Sequence, residues 1–138
     1  ELSLPVIIHS RNAAKDTLDI MKSERADKLQ GVIHCYSYSI EIAREYFNMG
    51  YYFGIGGVLT YPDAKKLKEV AAYLPLDCIL LETDCPYLPP QPHRGERNNS
   101  GNLIYVAEAL AQIKNTDVDT VIKTTKENAY RLFFNTKI

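Results

Sequence analysis

The chain has 138 residues, of which 46% are hydrophobic and 24% charged, and its formal net charge is −1. These values suit one globular domain and exclude a disordered tail, a collagen-like repeat and a low-complexity linker. No apolar run approaches the ~18 residues of a membrane span, and the near-neutral charge excludes a broad basic surface for nucleic acid.

The opening Glu1-Leu2-Ser3-Leu4-Pro5 has no initiator Met and no signal-peptide pattern, so the chain is expected to begin inside a longer domain. Pro5-Val6-Ile7-Ile8-His9 predicts a first strand, and a charged helix is expected over roughly Ala13 to Leu29, with Leu18 and Met21 inward. Gly31-Val32-Ile33-His34-Cys35-Tyr36 predicts the second strand. Ile40, Ala43, Tyr46 and Phe47 share one face of the helix after it. The third strand is expected over residues 51–58. Its helix carries Ala64, Leu67, Val70, Ala71 and Leu74 inward, with Pro62 near the start. Cys78-Ile79-Leu80-Leu81-Glu82-Thr83-Asp84 predicts the fourth strand. Short β-branched or aromatic runs alternating with helices imply right-handed βαβ units and a parallel sheet.

Residues 85–101 break the alternation with Pro86, Pro89, Pro90, Pro92, Gly95 and Gly101, and predict a long loop. Long ordered loops at strand ends are often functional. Two closing helices follow, one striped by Leu103, Val106, Ala107, Leu110 and Ile113, the other by Val118, Val121, Ile122, Ala129, Leu132 and Phe133. Thr116 or Asp117 is the expected N-cap of the last helix. Cys35, Cys78 and Cys85 form no paired spacing and no C-x-x-C, which suits reduced thiols and a cytoplasmic protein.

His9, His34 and Asp84 each fall at the C-terminal end of a predicted strand, and in a parallel sheet those ends share one edge. Imidazole and carboxylate together suit a divalent metal. A lone strand-end His is more often a hydrogen-bonded structural residue, and a lone Asp a cap. Composition and spacing leave the two readings even. Glu82 lies on the same strand face as Asp84, where a carboxylate needs a partner; it could support a ligand by hydrogen bonding or turn toward the helices. Arg11, His93, Arg94 and Arg97 are basic groups near the expected cavity mouth, suited to phosphate or to solvent. Gly56 and Gly57 are first close-approach or turn positions.

Taken together, these segments resemble the TatD-type metal-dependent hydrolases. Leu4-Pro5-Val6-Ile7-Ile8-His9-Ser10-Arg11 is similar to the family's fifth-strand motif, Gly31 to Ser37 to the sixth, and Leu80-Leu81-Glu82-Thr83-Asp84-Cys85-Pro86-Tyr87-Leu88 to the eighth. Arg94-Gly95-Glu96-Arg97-Asn98 and Thr125 to Phe133 resemble its C-terminal signatures. The resemblance implies a TIM (β/α)8 barrel of the amidohydrolase superfamily, of which residues 1–138 would be the C-terminal half, strands five to eight with closing helices. It implies His9, His34 and Asp84 as metal ligands, with Asp84 also the candidate general base. Arg11 and the loop from His93 to Arg97 would face substrate. It further implies two divalent ions per intact site (magnesium, manganese or zinc) and hydrolysis of DNA phosphodiesters, single strands or 3′ ends, with 3′–5′ exonuclease character. The isolated half is expected to turn over weakly or not at all. Acting on amides or lactones, or serving as a non-catalytic half-barrel that self-associates through its open sheet edges, are the alternatives. The family's paired histidines on strand one and glutamate on strand four have no counterpart, and Asn98-Asn99-Ser100-Gly101 lacks the proline usual at that place.

Overall fold

A computed structural model describes residues 4–134; Glu1 to Ser3 of the opening segment lie outside them. Four parallel strands stand in chain order: β1 (Val6–His9), β2 (Gly31–His34), β3 (Tyr52–Ile55) and β4 (Ile79–Leu81). The helices are α1 (Ala14–Ser23), α2 (Ile40–Asn48), α3 (Lys65–Tyr73), α4 (Leu103–Lys114) and α5 (Val118–Phe134). No helix among the described residues is long and apolar enough to cross a membrane.

Alternation along the strands makes two faces. One face carries Ile33, Phe53, Ile55 and Ile79 into the main core, against Ala43, Tyr46, Val70, Leu110 and Val121 of the helices. Burial of each large side chain there contributes roughly 1.5–3 kcal/mol. On the other face Val32 and Leu80 meet Leu132 of α5 in a small second cluster. Ile7 on that face is 63% exposed, so it is only partly covered.

Predicted elements are shorter than expected: β2 ends at His34, before Cys35 and Tyr36. α1 stops at Ser23 because its inward stripe ends at Met21; Arg25 turns left-handed (φ 55°) into a 3-10 turn at Ala26–Lys28, where the Tyr51 hydroxyl donates to Ala26 O at 3.1 Å. β3 stops at Ile55, and Gly57–Thr60 forms a 3-10 turn. β4 then loses its partner. Glu82 N donates to Ile55 O at 3.1 Å, and Thr83 and Asp84 continue beyond the sheet.

The closing helices are fastened by side-chain amides and caps. Asn128 of α5 is fully buried and donates from Nδ2 to Leu76 O (2.9 Å) and Ile79 O (2.8 Å), tying the helix to the foot of β4. Asp117 is the N-cap of α5, its Oδ1 accepting from Thr120 N at 2.7 Å. Without a proline, α4 starts through Asn99, whose Oδ1 accepts from Gly101 N at 2.9 Å and opens a 3-10 turn leading into the helix.

Candidate functional site

β1 and β2 pair in register with His9 opposite His34, so both imidazoles leave the same sheet edge on the same face. Their ring centroids are 5.8 Å apart and the planes are tilted by 36°. Asp84, just past β4, turns back toward them, with Oδ1 at 3.4 Å from His34 Nε2. These three residues line a cavity of about 440 Å³ with Arg11, Cys35 and Tyr87 among its other walls.

Glu82 faces this site and not the helices. Its Oε1 lies 2.8 Å from His34 Nδ1 and accepts the Cys35 backbone N–H at 2.7 Å. Burial pushes the Glu82 carboxyl above the usual carboxylate range, opposed by the neighbouring His34 and by the Cys35 N–H. Burial also pushes the Cys35 thiol up to about 11, with Glu82 and Asp84 adding to the rise.

The basic candidates separate. Arg11 lines the cavity. His93 does not: Nδ1 pairs with Glu96 Oε2 at 2.9 Å and Nε2 with the Tyr105 hydroxyl at 3.2 Å. Arg94 stacks its guanidinium over the Tyr61 ring at 4.2 Å. Arg97 is exposed on the same loop and is not part of the cavity wall. The structure therefore brings His9, His34, Asp84, Glu82 and Arg11 together and leaves His93, Arg94 and Arg97 outside.

Sequence reasoning missed the residues that make the site buildable. An added Cβ at Gly54 would lie 1.9 Å from Glu82 Oε2, so the absent side chain is the space the carboxylate occupies. A glycine inside a strand is the available signal for such an approach. Gly57 does serve as a close-approach position: a Cβ there would sit 2.4 Å from Leu88 O. Asn98 is buried and fixes the wall. Its Nδ2 donates to Tyr87 O (2.8 Å) and Leu88 O (3.3 Å), while its Oδ1 accepts from Asn99 N and Asn102 Nδ2, both at 2.9 Å. Tyr87, held by this network, is 69% exposed at the cavity.

The donor set suits a hard or borderline divalent ion in type. Two donors on one ion with bonds of ~2.1 Å stand about 3.0–3.4 Å apart, and His34 Nε2 and Asp84 Oδ1 are at 3.4 Å. Among the described residues no three His, Cys, Asp or Glu side chains form a group ready to hold an ion. His9 flanks the pair. His34 and Asp84 are thus spaced as two ligands of one ion would be.

The chain is 45% identical over 133 residues to the uncharacterized metal-dependent hydrolase YabD of Bacillus subtilis, covering 96% of this chain and 52% of that protein. It is 41% identical to the uncharacterized metal-dependent hydrolase YcfH of Escherichia coli K12, covering 96% and 50%. Among solved structures, the TatD homolog YjjV of Escherichia coli superposes with a TM-score of 0.86 at 34% identity, covering 95% of this chain and 50% of that one. A TatD-family hydrolase of Entamoeba histolytica shares the fold at a TM-score of 0.85 and 23% identity. The chain spans about half the length of the curated relatives it matches. The family described as TatD related DNase matches residues 1–134, and the chain belongs to that family.

Proposed function

We propose that the intact protein is a divalent-metal-dependent phosphodiesterase that trims DNA from its ends, with 3′–5′ character, and that β1 to β4 are the fifth to eighth strands of its barrel. The observation that carries this is the convergence of His9, His34 and Asp84 with Arg11 on one cavity. The family description and the relatives' names support hydrolysis with metal. The net charge of −1 supports contacts at a strand end and not along a basic stripe.

His34 Nε2, Asp84 Oδ1 and His9 would hold the metal, with magnesium, manganese or zinc as candidates and a second ion completed by residues outside this chain. When bound, such an ion polarises a phosphoryl oxygen and lowers the pKa of coordinated water to ~7. Asp84, with its side chain 41% exposed, can orient the attacking water and accept its proton. Arg11 at the cavity wall can take two phosphate oxygens through its planar fork. Tyr87, whose backbone carbonyl accepts from Asn98, offers an exposed aromatic face for the terminal base. The free thiols of Cys35, Cys78 and Cys85 support a reducing compartment, and we place the protein in the cytoplasm on that ground.

The test is manganese- or magnesium-dependent digestion of single-stranded DNA by the full-length protein, with His34→Ala as control. Release of nucleotides from 3′ ends, lost in His34→Ala, is expected. Hydrolysis of amides or lactones with none of DNA would contradict the substrate. A second reading, self-association of the 138-residue chain, is favoured by the order β1-β2-β3-β4, which gives the outer strands one neighbour each. Sedimentation of the isolated chain distinguishes it.

A further inference from the structure

We infer that Gly54, Glu82 and the Cys35 backbone N–H form a socket that holds the His34 imidazole as its Nδ1–H tautomer, leaving the Nε2 lone pair facing the cavity. This rests on reading His34 as a metal ligand. Glu82 and Gly54 are positioning residues in it; neither has to touch substrate or metal.

The tautomer follows from which atoms can only donate. The Cys35 N–H is a donor, and it meets Glu82 Oε1 at 2.7 Å. At alkaline pH Glu82 is a carboxylate and Oε1 can only accept, so the His34 Nδ1 at 2.8 Å from it supplies the proton. A neutral imidazole with its proton on Nδ1 carries a lone pair on Nε2. An imidazole free in water prefers the opposite arrangement, with the proton on the nitrogen that would have to bind metal. The carboxylate thus removes a tautomer shift that would otherwise precede binding. Asp84 also faces His34, but from Nε2 and at 3.4 Å, beyond the closer Glu82 contact.

The socket is built from backbone as well as side chains. Cys35 adopts a left-handed conformation (φ 48°) directly after β2. The next amide, Tyr36 N, donates to Gly54 O at 2.9 Å and fixes that turn to β3. Gly54 in turn leaves the space above its Cα to Glu82. A Cβ there would meet Oε2 at 1.9 Å and Cδ at 2.5 Å. These are the end atoms of a flexible side chain, so Gly54→Ala displaces the carboxylate rather than the strand.

The test is a long-range ¹H–¹⁵N correlation on the ¹⁵N-labelled 138-residue chain without metal at alkaline pH. His34 is expected as Nδ1–H. Glu82→Ala and Gly54→Ala are expected to move the proton to Nε2, and Glu82→Gln, whose amide oxygen accepts the same two N–H groups, to restore Nδ1–H. A backbone ¹H–¹⁵N spectrum reports folding of each variant, and the unsubstituted chain and Glu82→Gln decide the question if an alanine variant unfolds. An Nε2–H tautomer in the unsubstituted chain, or one unchanged by Glu82→Ala in a folded variant, overturns the socket. In zinc titrations Glu82→Ala is expected to weaken binding about 10–100-fold. If zinc leaves the His34 Nε2 signal unmoved while the tautomer is Nδ1–H, the socket stands and His34 is not a ligand.

Discussion

His34, at the end of β2, and His93, in the loop after β4, have nearly the same first partner. Nδ1 of His34 is 2.8 Å from Glu82, and Nδ1 of His93 is 2.9 Å from Glu96. Their second nitrogens differ. Nε2 of His93 meets the Tyr105 hydroxyl on α4, and both ring nitrogens are spent on holding the loop. Nε2 of His34 faces a carboxylate across a cavity that also holds His9 and Arg11. A histidine becomes a candidate ligand when its surroundings satisfy one nitrogen and aim the other. His93, like Arg94 stacked on Tyr61, is consumed by the fold.

The largest effect should break this contrast or establish it. In the full-length protein, His34→Ala is expected to lower metal-dependent DNA hydrolysis by more than about 100-fold, since even partners behind ligands cost about 10–100-fold. His93→Ala should lower activity far less; equal losses would erase the distinction between the two histidines. On stability the ranking inverts. Asn128→Ala takes the side-chain donor from the buried Ile79 carbonyl, at roughly 1–3 kcal/mol, and leaves Leu76 O only the Ile79 N–H; urea unfolding should show that loss. His34→Ala, which leaves Glu82 the Cys35 N–H as partner, should shift the same transition less.

Tyr87→Ala should weaken binding of a single-stranded 3′ end by about 1–3 kcal/mol, the usual worth of one base stack, with Tyr87→Phe close to unsubstituted; fluorescence anisotropy at fixed salt measures it. The smallest effect is at Asp117, far from both histidines. Its hydrogen bonds to Thr120 hold the carboxyl below the usual aspartate range. A depressed folded value means that the cap stabilises α5 above the ordinary carboxylate range and fades as pH falls through the lowered value. Asp117→Ala should remove that acid-side dependence in thermal melts while leaving hydrolysis unchanged.

The strand ends at His9 and His34 were legible because β-branched runs stopping at polar residues mark buried parallel strands. The end of β4 was not. Leu80, Glu82 and Asp84 continue the alternation in sequence, but pairing ends where β3 gives way to the 3-10 turn at Gly57–Thr60. α1 was read too long because helical charge patterning continues past Met21 while the buried stripe does not. Gly54 escaped notice because its contribution is a missing side chain, visible only once Glu82 is placed against it. The loop residues His93, Arg94 and Arg97 lie close to the site in sequence, but Asn98 and Tyr105 fold their loop against α4 and its start.

The claim that His9, His34 and Asp84 form the metal-binding side of this chain is tested most directly by adding manganese to the ¹⁵N-labelled protein and following paramagnetic broadening of every backbone amide. Broadening should appear first and most strongly around His9, His34, Cys35 and Asp84, with the loop around His93 and Glu96 retained. Broadening centred on His93 and Glu96, or spread over the exposed carboxylates of α1 with the strand ends untouched, would contradict it.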